Sequence, residues 1–304
     1  MSRLFVVGFC VLVGTASSSL SQERLEVFHS NAKIVWAVTN TLPDRFAIYQ
    51  KVNLSNVVLS NVMAITSFKP VDIASSGHDE TVFEQRQNTK LVRCLKISAV
   101  ENSIDYFDTP TNYSSVENVP MFDDMVKQAE NYLLLLGGNT NEIAHTKQPR
   151  TEETVSTFDK KGGKVISKNV YSRGVTFNRQ IDGIQVEDYF FVELGSNAKI
   201  IRLKMNWRNL RLYQTGKTKT TKEIISSIEK GQATIVPDIE NGYSVPTAAK
   251  SLSITKIIPV YPKHSVGNFV YPSVYLEVQS DVGTASNTTF QIQCAILSKN
   301  QIQN

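Results

Sequence analysis

The sequence has few of the side chains from which catalytic and metal sites are usually built. Only four of the 304 residues are histidines, and no pair of them has the His-Glu-x-x-His spacing of a zinc site. The Gly-x-Ser-x-Gly motif of serine hydrolases is also missing. Gly216-Lys217-Thr218 is similar to the end of a phosphate-binding loop, but Arg211 stands where that loop needs its first glycine. The sequence therefore predicts no catalytic residue, no metal and no cofactor, and it favours binding over catalysis.

Cysteine is scarce as well. The chain has three cysteines, and two of them, Cys94 and Cys294, lie in apolar segments with the pattern of strands. In an oxidising compartment these two can form a disulfide, which would constrain the unfolded chain. Two buried free thiols are the alternative, because buried cysteine behaves as a small apolar residue.

Long apolar runs are absent except at the start of the chain. Arg3 is followed by an apolar run from Leu4 to Gly14 and then by small polar residues. This order is typical of a secretory signal peptide, predicted at residues 1–19, and the run is shorter than the ~20 residues that cross a bilayer. A short uncleaved anchor is the alternative. We expect a secreted or periplasmic (extracytoplasmic) protein with no transmembrane span after cleavage.

The charge is nearly balanced. A formal net charge of +4 is too small to indicate a nucleic-acid partner. The segment from Lys199 to Lys222 is locally basic, which a solvated strand face with a basic loop explains. The other interpretation of this segment is attraction to an anionic surface such as wall polymer or lipid headgroups.

The best-defined pattern is a run of strands from Tyr171 to Leu212. Asp182-Gly183 between alternating apolar and polar residues is a strong hairpin signal, and Gly195-Ser196-Asn197 marks the next turn. After Trp207 the apolar phase shifts to Leu210 and Leu212, which predicts a β-bulge near Arg208.

Three helices are predicted between the strands. Ser55 is the N-cap of the first, Gly137-Gly138 ends the second, and the capping box Thr220-Thr-Lys-Glu223 starts the third. So few helices among so many strands indicate an α+β fold, in which antiparallel sheets are each covered by a helix. We expect an N-terminal α+β lobe at 20–138, a linker at 139–151 and a C-terminal lobe at 152–304.

Polar residues interrupt the apolar order of the predicted hairpin. Arg179 and Asp188 fall on apolar faces of its two arms, where they form a structural ion pair or contact a ligand. Trp207-Arg208 combines an amphipathic ring with a guanidinium, as interaction hot spots do, although a core tryptophan beside a solvated arginine gives the same pattern.

The chain resembles PepSY-type modules and the exported bacterial wall regulators YycH and YycI. The resemblance covers roughly residues 120–297 and rests on Val175-Thr-Phe-Asn-Arg-Gln-Ile-Asp-Gly-Ile-Gln-Val-Glu-Asp188, Gly195, Ile200 and Asn206-Trp-Arg208. It implies PepSY-like repeated α+β units in a non-enzymatic protein outside the cytosol. Its expected partner is a protein or peptide of the cell envelope.

From these observations we expect an exported binding or regulatory protein. Its predicted partner contacts are Arg179, Asp188, Trp207 and Arg208. The alternatives are an exported hydrolase with an unrecognised site near His78 and Asp79, and a carrier of an apolar ligand between two lobes.

Overall fold

A computed structural model describes residues 27–28, 32–77, 79–109, 118–146, 148–158, 165–236, 249–263, 267–281 and 288–297. The predicted signal peptide at residues 1–19 lies outside the described residues, and so do His29, His78 and His264.

Strands dominate the described part of the chain. The strands are β1 (Lys33–Trp36), β2 (Arg45–Val52), β3 (Ile73–Ser76), β4 (Glu80–Gln87), β5 (Lys90–Ser98), β6 (Ser103–Asp108), β7 (Arg150–Phe158), β8 (Val165–Ile181), β9 (Ile184–Leu194), β10 (Ile200–Asn206), β11 (Asn209–Lys217), β12 (Ala233–Ile235), β13 (Ser251–Tyr261), β14 (Phe269–Val270), β15 (Ser273–Ser280) and β16 (Thr288–Ala295). The α-helices are α1 (Asn56–Thr66), α2 (Phe122–Leu135) and α3 (Thr221–Glu229), and short 3-10 turns occur at Pro70–Asp72, Thr140–Glu142 and Ser196–Ala198.

The predicted fold class was wrong. Of the described residues, 54% lie in strands and 19% in helices, and most strands join one mixed sheet of 13 strands. The order along this sheet is β12-β16-β15-β13-β9-β10-β6-β5-β4-β3, with β1 beside β13 and the β7–β8 pair beside β9. The protein is thus mainly β, without separate helix-covered PepSY-like units. Strands that would lie at the edges of separate sheets pair instead with strands distant in the sequence. This pairing satisfies their backbone N–H and C=O groups.

Strands from both sides of the predicted linker belong to this sheet. Strand β6 pairs with β10, and β9 pairs with β13 in parallel. Part of the linker runs against β8, where the Ala144 N–H donates to the Asn178 carbonyl at 2.8 Å. The division into two lobes stays a prediction.

A second sheet, of three strands, has the order β11-β2-β14. We call it the small sheet. Tyr49 of β2 meets Tyr261 of β13 edge to face at 5.2 Å between ring centroids, and the Tyr261 hydroxyl donates to the Ala47 carbonyl at 3.2 Å. Burial raises the pKa of the Tyr261 phenol, so this hydroxyl stays protonated and remains a donor. These contacts hold the small sheet against the large one.

Two larger apolar clusters pack the helices onto the large sheet. Helices α1 and α2 cover β4, β5, β6, β9 and β10 through residues such as Val62 and Leu133. Helix α3 packs Ile224 and Ile228 against β13, β15 and β16. Each cluster removes many apolar side chains from water, which is the main favourable term in folding.

The helix starts agree with the sequence. The Ser55 hydroxyl accepts from the Val58 N–H at 3.3 Å, and both bonds of the Thr220–Glu223 capping box are present. Gly137 and Gly231 follow α2 and α3 at φ of 82° and 66°, a conformation that glycine adopts without strain.

The capping box gives the first testable prediction. We expect Thr220→Ala to lower the free energy of unfolding by about 1 kcal/mol, because the Glu223 N–H loses its acceptor. Urea denaturation followed by circular dichroism measures the change. Thr221→Ala, one residue into the helix, is the matched control, and an equal loss in both variants would contradict the capping role.

Of the two alternatives for the cysteines, a disulfide or two buried free thiols, the structure shows the free thiols. Cys94 and Cys294 are both free and buried. They lie on β5 and β16, which are separated in the sheet by β15, β13, β9, β10 and β6. Six strand spacings amount to roughly 29 Å, far beyond the ~7 Å limit between the Cα atoms of a disulfide. Burial raises the pKa of both thiols, which keeps them protonated and unreactive.

The phase shift after Trp207 has a different cause from the predicted bulge. Strand β10 ends at Asn206 in the large sheet, and β11 begins at Asn209 in the small sheet. Trp207 and Arg208 form the crossover between the sheets. The irregular register of β11 lies further on, between Leu212 and Gln214.

Candidate partner-binding site

The predicted ion pair across the β8–β9 hairpin is present. Arg179 Nη1 lies 2.6 Å from Asp188 Oδ2, and both side chains are buried. The register shifts beside Arg179, which pairs with Val186, while Asn178 pairs with Tyr189. This bulge on the β9 arm leaves Asp188 without a partner residue directly opposite.

Arg208 binds the same carboxylate from the crossover. Its Nε donates to Asp188 Oδ1 at 2.7 Å, and its backbone N–H donates to Asp188 Oδ2 at 3.0 Å. Its Nη1 donates to the carbonyls of Pro262 and Lys263 at 2.9 and 3.1 Å. One arginine thus ties β9, the crossover and the end of β13 together.

Glu142 completes the cluster. Arg179 donates from Nε to Glu142 Oε2 at 2.6 Å, and from Nη1 to the Arg208 carbonyl at 2.6 Å. The charges of Arg179 and Arg208 are therefore matched by those of Asp188 and Glu142. We call these four residues the crossover cluster. Glu142 was not predicted, because it follows a helix and a turn with no apolar pattern that would indicate a buried role.

Trp207 packs against the cluster as a core residue. It is 1% exposed, and the Arg179 guanidinium lies 5.2 Å from its ring centroid. The structure therefore brings together all four residues predicted as partner contacts. It buries each of them to 3% exposure or less, so none presents its side chain at the surface. What the cluster fixes is the point where the chain passes from β10 in the large sheet to β11 in the small sheet.

Strand β11 is an exposed edge. In the described part of the chain it pairs with β2 on one side only. Leu212 and Tyr213 are 59% and 53% exposed, which is unusual for large apolar side chains on a strand. We call Asn209–Lys217 the β11 edge.

An aromatic row runs from the β11 edge across the small sheet. The ring of Tyr213 lies 4.8 Å from that of Phe269, and Phe269 lies 6.3 Å from Tyr271, between centroids. Arg211 lies on the same strand and donates to the Gln50 side chain at 2.7 Å. Arg45 donates to both the carbonyl and the hydroxyl of Thr215 at 3.1 Å, which places its guanidinium against β11.

The small sheet carries charge of one sign. Its three strands contain four cations and no carboxylate; the cations are Arg45, Lys51, Arg211 and Lys217. A cleft of about 760 Å³ continues this basic surface at the end of β11, where Lys217 and Lys219 line it with a single carboxylate, Asp44. Among the described residues, neither histidine nor cysteine lines this cleft.

Among the residues that the structure describes, no three His, Cys, Asp or Glu side chains are grouped as a metal site requires. Within the same residues, no helix combines the length and apolar character needed to cross a bilayer.

Comparison with known proteins identifies no family for this chain. No protein-family model matches the chain, and no curated protein matches it significantly. A solved structure of an uncharacterized protein from Eubacterium rectale aligns with this chain at 10% identity, over 86% of this chain and 85% of that chain, with a TM-score of 0.41. A likeness at this level supports no functional assignment.

Proposed function

We propose that this is an exported, non-catalytic binding or regulatory protein. It contacts a protein or peptide of the cell envelope, or one outside the cell, and it does so at the β11 edge. The observation that carries the proposal is a nine-residue edge strand with exposed Leu212 and Tyr213. Export rests on the signal peptide predicted at residues 1–19, and the resemblance to wall regulators over residues 120–297 agrees with a regulatory role.

An exposed edge strand binds another chain through its backbone. Ladder hydrogen bonds in an antiparallel pair alternate along the strand, so about half of the N–H and C=O groups of β11 point away from β2. An extended segment of a partner can pair with these groups and become the next strand.

Both ends of the β11 edge are held in place. The crossover cluster fixes the start, and the Thr218 N–H donates to the Asp44 carbonyl at 2.9 Å beyond the end. A strand held at both ends loses little conformational entropy when a partner pairs with it, which favours binding.

Site-specific photocrosslinking tests this function. With p-benzoylphenylalanine in place of Tyr213, irradiation of cells that express the protein should give a crosslinked partner protein, because this side chain is exposed on the binding strand. Ile73 is the matched control position, since it is 47% exposed on β3, at the far edge of the large sheet. Crosslinking at position 73 without crosslinking at 213 would contradict the proposal.

A further inference from the structure

We propose that the segment bound at the β11 edge is an extended acidic peptide, in which carboxylates alternate with apolar side chains. This inference rests on the proposed function and adds the chemistry of the partner.

The first argument is charge. The small sheet contributes four cations and no carboxylate, and the neighbouring cleft adds Lys219. Three carboxylates of the described residues also lie near this surface: Asp44 lines the cleft, Glu223 accepts hydrogen bonds from Thr220 at the start of α3, and the charge of Asp182 acts on Tyr49 of β2. The five cations outnumber these three carboxylates, and an excess of positive charge attracts an acidic partner and repels a basic one.

The second argument is the position of the charges relative to the backbone. Arg45 and Arg211 both flank the outer strand: one guanidinium is bonded to Thr215 in β11, and the other belongs to β11 itself. A carboxylate on an added strand would lie a single strand spacing of about 5 Å from Arg211, and Arg45 reaches towards β11 from the inner strand β2. Opposite charges facing each other across strands stabilise the pairing.

The third argument is the apolar part of the same surface. Leu212 is exposed on the edge, on the face of the strand opposite Arg211, and the ring of Tyr213 packs against Phe269 at a tilt of 54°. Successive side chains of a strand point to opposite faces, so an alternating segment can place carboxylates on one face and apolar groups on the other. A lipid or wall polymer offers charge but no backbone groups to pair with β11, and therefore a peptide fits this edge better.

Fluorescence anisotropy with synthetic peptides tests the inference. The probe is a labelled peptide that alternates Glu and Val over about eight residues, which is within the usual range of strand lengths. We expect it to bind at least about tenfold more tightly than the same peptide with Lys in place of Glu, and to weaken with added salt. Methylation of alternate backbone nitrogens should abolish binding, because it removes the donors that pair with β11.

Charge reversal on the protein locates the site. Arg211→Glu should weaken the binding of the Glu-Val peptide by about tenfold or more. Lys127→Glu makes the same charge change on an exposed position of α2 and should leave binding within about twofold. Circular dichroism of both variants establishes that they are folded.

Three results would overturn the inference. They are equal binding of the Glu-Val and Lys-Val peptides, unchanged binding of the methylated peptide, and binding of phosphatidylglycerol vesicles without binding of any peptide. A partner crosslinked at position 213 would leave the proposed function standing in each case, so the two failures can be distinguished.

Discussion

Replacement of Asp188 by Ala should lower the free energy of unfolding by about 3–5 kcal/mol. The carboxylate is fully buried and accepts from Arg179, from the Arg208 guanidinium and from the Arg208 backbone N–H. Its removal leaves two buried guanidinium groups with only Glu142 to balance them. Chemical denaturation in urea, with near-ultraviolet circular dichroism as the signal, measures the change.

Glu84→Ala is the matched control for this loss. Glu84 pairs with Arg86 at 2.7 Å, but that arginine is about half exposed, so water replaces the lost partner. Its removal should change the free energy of unfolding by less than about 1 kcal/mol. If Asp188→Ala were no worse than Glu84→Ala, the crossover cluster would not hold the two sheets together.

Trp207→Ala should have an effect of similar size, about 3–5 kcal/mol, for a different reason. Trp207 is among the largest fully buried side chains, so its truncation leaves a cavity beside the apolar cluster under α1 and α2. The loss of its contact with the Arg179 guanidinium adds to this effect. Thermal and urea unfolding measure the change.

Tyr213→Ala separates stability from binding. Tyr213 is 53% exposed, so its removal should change the free energy of unfolding by less than about 1 kcal/mol. The same variant should weaken partner binding at the β11 edge, where its ring lies beside Phe269. Equal destabilisation by Trp207→Ala and Tyr213→Ala would contradict the burial on which the account depends.

Local features of the fold were predictable because neighbouring residues determine them. The Asp182-Gly183 turn joins β8 to β9, as its sequence signal predicts. The caps at Ser55 and Thr220 depend on side chains within three residues of the helix start, and both are confirmed.

Long-range pairing was not predictable from these signals. The parallel pairing of β9 with β13 joins residues about 75 positions apart, as in Val186 with Tyr261, and no turn specifies it. The shift of apolar phase at Arg208 has the same appearance for a bulge and for a strand that leaves one sheet for another. Because local patterns do not specify these long-range pairings, the sequence predicts separate helix-covered units, whereas the chain folds as one large mixed sheet and one small sheet.

The candidate site was predictable in part. Arg179 and Asp188 were singled out because charges on apolar faces need partners, and they do pair. Because these residues are buried, we expect the surface site at β11 instead. The sequence does show two large apolar residues, Leu212 and Tyr213, beside Arg211. Their exposure depends on β11 being an edge strand, and only the order of strands in the sheet reveals this.

Hydrogen exchange tests the central claim most directly. Amide exchange across Asn209–Lys217 can be measured in the protein alone and in its complex with the partner captured at position 213. We predict slower exchange in this strand on binding, and no change in Ile73–Ser76, the edge strand at the far end of the large sheet. Unchanged exchange in Asn209–Lys217, with protection gained at another surface, would contradict the account.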